Sequence, residues 1–246
     1  MSSIIAESAS IGENTTVGHF CVIDENVVIG SGCRIGHHVI IHPDTVIGDD
    51  CVIDDHAVVG KAPLRSRSMA IQPGEGLPGL KVASGVVIGT GAILFRGSQV
   101  GEEALIADLA SVREETTIGA STIIGRCVAV ENRISIGNRC KIEAGAFVCA
   151  YSTIADDCFV APEVTLTNDN YMGRTEDRTV VFKGSTLERG ARVGANATIL
   201  PGKQLSSEAV AGAGSVVTRD IPADTINIGS PARKFGPVPP EQKLNR

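Results

Sequence analysis

The sequence is poor in aromatic residues: no tryptophan, two tyrosines and six phenylalanines, 3% of 246 residues. That scarcity fits a core that is a thin column of aliphatic side chains. Histidine is also scarce, and none of the five occurs after His56, so a histidine base is missing from most of the chain. No apolar run approaches the ~18 residues of a membrane span. The first residues lack the basic start and apolar centre of a secretory signal, so a cytoplasmic location is expected. A net charge of −6 argues against a nucleic-acid or anionic-membrane partner. Seven cysteines could suggest a disulfide frame or a metal site. Five of them, Cys21, Cys33, Cys51, Cys140 and Cys158, instead fall at one repeat position that Thr or Ala also fills, so they read as small buried residues.

What is present is a six-residue period. From Val82 to Leu166 every sixth residue is Val, Ile or Leu, and four places after each comes a mostly small or β-branched residue, with Ile134 the large exception. Neither a helix nor a simple alternating strand has this period; a stacked repeat does. Burying one Ile or Val contributes about 1.5–3 kcal/mol, whereas ordering six backbones costs on the order of 6–12 kcal/mol. One hexad therefore cannot fold alone, and neighbours must supply the difference. The same period runs from Ile5 to Val59, with glycine often following the aliphatic residue, where a tight, crowded turn is expected. It fails over about 61–81 and 167–180, two extruded loops, and resumes at Val181. We expect one domain over residues 1–237 and a frayed tail over 238–246.

Candidate functional residues stand where the repeat departs from itself. After the aliphatic residue, where the central block has mostly Gly or Ala, come Phe95, Arg113, Glu131, Glu143 and Cys149. Arg113 and Glu131 are eighteen apart and should stack as an ion pair on adjacent coils. Glu143 has only Gly125 and Ala161 one coil away, which leaves its carboxylate to solvent or to a ligand amine. The first loop carries Lys61, Arg65, Arg67 and Lys81 against Glu75: either a solvated loop or an anion site for a phosphorylated substrate, with Arg65 and Arg67 as its ligands.

The six-residue pattern resembles the hexapeptide-repeat transferases. That resemblance implies an all-β, left-handed parallel β-helix with three hexads per coil. More narrowly, Ile106-Ala-Asp-Leu-Ala-Ser-Val-Arg-Glu-Glu, Val130-Glu-Asn, Lys141-Ile-Glu, Ala150-Tyr-Ser-Thr-Ile, Ala161-Pro-Glu-Val and Thr167-Asn-Asp-Asn are similar to N-acetyltransferases of nucleotide-linked amino sugars, such as those acting on dTDP-3-amino-3,6-dideoxyhexoses. The resemblance implies acetyl-CoA as co-substrate, no metal, and a homotrimer with its sites between subunits. It implies catalytic roles for Glu143 or Glu131, and sugar contacts from Asp108, Arg113, Asn132, Tyr151, Asn168, Asp169 and Asn170. It also places Ala195, Gly212 and Ala213 on the pantetheine and Lys203, Arg233 and Lys234 near the CoA phosphates. Two alternatives remain open: an acyltransferase with another acceptor or a longer acyl chain, and a zinc protein. For the latter, His19, His37, His38, His42 and His56 resemble the ligands of the γ-class carbonic anhydrases.

Overall fold

The computed structural model describes residues 2–174 and 182–244. Almost every hexad forms a two-residue strand, and the strands stack into three parallel sheets of 11, 10 and 12 members. We call these sheets A, B and C in the order the chain visits them. Within uninterrupted blocks the paired residues are eighteen apart, as in Val112↔Val130↔Val148 on sheet A. Each coil therefore passes once through A, B and C, giving a left-handed parallel β-helix of triangular section. Three edges result: A–B, B–C and C–A.

The core explains the composition. Every aliphatic repeat residue from Ile23 to Val217 within the strands is at most 4% exposed, and the small residues between them are buried as well. The polar members of that small position make a specific contact. Thr15 Oγ1 donates to the Gly30 carbonyl at 2.7 Å, Thr122 Oγ1 to Gly137 at 2.8 Å, and Ser98 Oγ to Arg113 at 2.8 Å. Cys21 and Cys140 donate from Sγ to the equivalent carbonyls of Gly36 and Ala155, both at 3.0 Å. Cysteine, serine and threonine are thus exchangeable there, and all seven thiols are free.

The corners use two different devices. The residue directly after the aliphatic position is glycine because the next coil lies against it: a Cβ on Gly18 would sit 2.3 Å from the Gly36 carbonyl oxygen. The turn itself is made two residues later, by left-handed residues such as Asn26 (φ 59°), Asp50 (φ 54°) and Tyr151 (φ 67°). Crowding and tight turning therefore occupy separate positions, not the single glycine expected from the sequence.

The two interruptions lie close to their expected bounds. Strands end at Lys61 and restart at Lys81, and they end again at Leu166 and restart at Thr186. The expected restart at Val181 falls outside the described residues. The first coil is open, with Ile5 45% exposed. The other end is closed: Thr225–Ile228 extends sheet C, and Arg233–Pro237 pairs with it antiparallel. Of the tail expected to fray, the described residues 238–244 make contacts with the last coils. Val238 is buried and its N–H donates to the Asp224 carbonyl at 2.9 Å, while the Leu244 N–H donates to Glu208 Oε1 at 2.9 Å.

Candidate active site along two edges of the column

The A–B edge carries most of the unusual side chains. Following each sheet A strand, they stack as Phe95, Arg113, Glu131, Cys149 and Thr167 in the first position after the aliphatic residue. Arg113 and Glu131 do form the expected ion pair, Nη1 to Oε2 at 3.2 Å. The guanidinium is held from its other side by Glu114, with Nη2–Oε1 at 2.9 Å and Nε–Oε2 at 3.1 Å. The Glu114 side chain is fully buried, and Asn132 Nδ2 donates to the same Oε1 at 3.2 Å. A two-point carboxylate–guanidinium contact fixes orientation as well as charge, so Arg113 becomes a rigid mount for Glu131.

Glu114 escaped notice in the sequence because it occupies a corner position where exposed residues are normal. Its signal was the repetition of Arg113-Glu114 against Glu131-Asn132 one coil later. Cys149 is buried and its thiol pKa is raised by burial, despite the contact to Ser152 Oγ at 3.3 Å. It is held neutral and is no nucleophile.

Both loops join this edge. Arg133 Nη2 reaches the Gln72 carbonyl at 3.3 Å, and Arg96 Nε reaches the Leu77 carbonyl at 2.9 Å. Arg133 also binds Tyr151 Oη at 2.9 Å and Glu115 Oε2 at 3.0 Å. Burial works against its charge, but these two contacts outweigh it and raise the pKa. Tyr151 thereby becomes part of the tie that holds the first loop. At the second loop, Asn168 Nδ2 donates to the Ala150 carbonyl at 3.4 Å. Asp169 receives the N–H groups of Tyr171 and Gly173, both at 2.8 Å, and Asn170 is exposed. Arg65 is turned inward within the first loop, onto Glu75 and the carbonyls of Pro73 and Gly74. Arg67 is exposed.

The C–A edge carries the other half of the expected set. Asp108, Glu143, Ala195, Gly212 and Ala213 follow sheet C strands. Asp108 caps the coil below, accepting the Thr90 N–H at 3.0 Å. Glu143 is half-buried, and its carboxylate has no hydrogen-bond or ion-pair partner among the described residues. Ala195 lies two coils further along, about 10 Å at ~4.8 Å per coil. Of the expected phosphate contacts, Arg233 and Lys234 sit exposed on the closing strand, whereas Lys203 follows sheet A and lies on the A–B edge. The expected residues therefore fall into two groups that one column holds apart.

The histidines do not assemble into a triad within one chain. His19 stacks on His37 with centroids 5.3 Å apart, and His38 on His56 at 4.9 Å, all on the C–A edge. His37 Nδ1 is already taken by the His19 N–H at 2.9 Å. His42 lies on the A–B edge, with Nδ1 3.5 Å from Asp24. Among the described residues no group of three or more His, Cys, Asp or Glu side chains is placed to hold a metal.

Comparison with known proteins agrees with the repeat and the fold. The bacterial transferase hexapeptide (six repeats) matches residues 8–43 and 26–61, and the hexapeptide repeat of succinyl-transferase matches 111–150 and 186–219. The chain is a hexapeptide-repeat protein that resembles the acyltransferases sharing this repeat. It is 46% identical over 57 residues to dTDP-3-amino-3,6-dideoxy-alpha-D-galactopyranose 3-N-acetyltransferase of Aneurinibacillus thermoaerophilus, covering 23% of this chain and 30% of that one. It is 34% identical over 84 residues to galactoside O-acetyltransferase of Escherichia coli (strain K12), covering 33% and 41%. The chain thus spans less than half the length of these curated relatives. Among solved structures, Arabidopsis UDP-N-acetylglucosamine acyltransferase shares the fold at 19% identity, with a TM-score of 0.52 over 96% of this chain and 73% of the other. Among the described residues no helix is long and apolar enough to cross a membrane.

Proposed function

We propose that the protein is a cytoplasmic homotrimer that moves an acetyl group from acetyl-CoA to the amine of a nucleotide-linked amino-deoxy sugar. The observation that carries the reading is Glu131, a carboxylate mounted on Arg113 by the buried Glu114 at an otherwise small-residue corner. Such a carboxylate can orient an ammonium and the amine it becomes.

The outer faces support the trimer. Sheet A presents Val22, Ile40, Val58, Ile93 and Phe147 outward alongside Ser111, Ala129, Thr165 and Thr198, whereas sheet B turns polar after Val28 and Val46 and presents Lys81, Gln99, Thr117, Ser135 and Thr153. Sheet C mixes Val87, Leu105 and Ile123 with Arg34, Lys141 and Arg192. With the apolar sheet A turned to a threefold axis, the A–B edge of each column meets the C–A edge of the next. Glu131, Asn132 and Asn168 of one chain then face Glu143, Ala195, Gly212 and Ala213 of its neighbour across a cleft. The small residues of the C–A edge leave room for pantetheine beside the backbone, and Arg233 and Lys234 meet the phosphates.

In the reaction the neutral amine attacks the thioester carbonyl, and a backbone N–H of the C–A edge steadies the oxyanion. The carbon–sulfur bond then breaks, and the proton shed by nitrogen ends on the departing thiolate. Amine acetylation needs only this transfer, whereas a sugar hydroxyl needs a base to remove its proton. The nearest histidines, His42 on the A–B edge and His56 on the C–A edge, lie four coils from Glu131 and Glu143 respectively, roughly 20 Å, which favours an amine acceptor.

The test is steady-state kinetics on dTDP- and UDP-linked amino sugars with Glu131→Gln and Glu143→Ala. A fall in kcat/KM of about 10²-fold in the first variant is expected, with a smaller fall in the second. Unchanged values in both would remove the carboxylates from the site; equal turnover of hydroxyl acceptors would replace the amine.

A further inference from the structure

A pocket on the A–B edge lies beyond the residues used so far. Its floor is Phe95, its flanks are Lys61 and Arg113, and its outer wall is Leu64 and Met69 from the first loop, enclosing about 280 Å³. Four features of the chain converge on it.

Lys61 is delivered by a bulge. The pairing of strands 58–61 and 93–95 slips between Val59 and Lys61, so Lys61 stands opposite Phe95. The extra residue is Gly60, at φ 81°, where a Cβ would collide with Thr45 Oγ1. Bulges bend a strand and re-aim a side chain, and this one aims Nζ to 5.4 Å from the Phe95 ring centroid. Phe95 itself replaces the small residue normal at its position, and Arg113 Cζ lies 5.8 Å from the same centroid. Arg113 has its donors engaged by Glu114 and Glu131, whereas Lys61 has no ion-pair partner among the described residues. Leu64 is 78% exposed, an unfavourable setting for an apolar wall unless something lies against it. The loop that bears it is tied down through Gln72, Leu77 and the Gly97 N–H to the Pro78 carbonyl at 2.8 Å.

An aromatic floor, apolar walls and one uncommitted cation suit a flat apolar body carrying an anion. We propose that this pocket seats the nucleotide end of the acceptor, a pyrimidine nucleoside diphosphate, with the base between Phe95, Leu64 and Met69 and a phosphate at Lys61. The volume lies just below the ~300–1,000 Å³ of drug-sized ligand sites, so it takes the base and leaves the sugar outside. Two coils separate Phe95 from Glu131, about 10 Å, a span that the diphosphate covers to bring the sugar amine to the carboxylate. The assignment rests on the acceptor proposed above and gives it a direction: nucleotide toward the open end of the column, amine toward the closed end.

The experiment is calorimetric titration of the intact protein with dTDP, UDP, thymidine and CoA, comparing wild type with Lys61→Met and Phe95→Leu after equal thermal melting has been verified. Expected are binding of dTDP or UDP to wild type, weakening of at least tenfold in each variant, much weaker binding of thymidine, and CoA affinity unchanged within twofold. Wild-type indifference to both nucleotides, variants that bind them as wild type does, or a loss of CoA affinity in place of theirs would overturn the assignment. Amino-sugar acetylation that persists with nucleotide binding unaffected by the substitutions sinks the pocket alone. Nucleotide binding lost in the variants of a protein that acetylates no amino sugar sinks the acceptor chemistry alone.

Discussion

The A–B and C–A edges are built from the same hexads yet expose opposite materials. On the A–B edge, Phe95, Arg113 and Glu131 replace the small corner residue in three successive coils, and the two charged ones are held together with Glu114. On the C–A edge of the later coils, Gly194, Ala195, Gly212 and Ala213 leave the backbone bare, with Gly194 packed directly on Ala213. One edge offers charge and shape, the other a strip of peptide groups beside which a long thin ligand can lie. A triangular column cannot bring its own edges together, so the difference argues for chemistry shared between two chains.

The contrast can be broken most forcefully at Glu114. Replacing it by alanine removes one partner of an Arg113 guanidinium that keeps Glu131, and a lost hydrogen bond to a charged group costs about 1.5–3 kcal/mol. We expect Glu114→Ala to lower the chemical-denaturation midpoint by a corresponding amount and to abolish transfer. Replacement of Glu114 and Arg113 together by Gln and Met should recover much of the stability but not the activity. Equal stability of Glu114→Ala and wild type would mean that the pair is no mount. On the opposite edge the effect is smaller. A Cβ at Gly194 would lie 2.4 Å from the Ala213 nitrogen, and overpacking of this sort costs about 1–3 kcal/mol. Gly194→Ala should therefore melt earlier while nucleotide affinity holds; a change in nucleotide affinity instead would show that the edges are not separate.

The fold was legible because the period is strict: among the described residues, each Val, Ile or Leu of the period from Ile23 onward ended in the core. The Arg113–Glu131 contact was legible for the same reason, since residues eighteen apart face each other on one edge. That arithmetic also separates Glu143 from Glu131, twelve apart and hence on different edges, although both were expected as alternatives for one role. Glu114 was not legible, because burial of a corner residue depends on what its neighbours do with their charges. The closed C-terminal end was hidden too: Val238 and Leu244 lie beyond the repeat, and their seats come from Asp224 and Glu208. Nor could the direction of Arg65 be read. Its positive charge suggested an anion site, but carbonyls within the loop take its donors.

The shared site is tested most directly by complementation between two variants, one disabled on each edge. Glu131→Ala removes the carboxylate from the A–B edge, and Ala213→Trp places bulk on the exposed path of the coenzyme along the C–A edge. Each alone should be nearly inactive. Refolded together at equal amounts, random closed trimers should recover about a quarter of the wild-type rate, because some clefts then join an intact edge from each parent. Mixed trimers that form, as verified by mass, and remain as inactive as the parents would contradict the account.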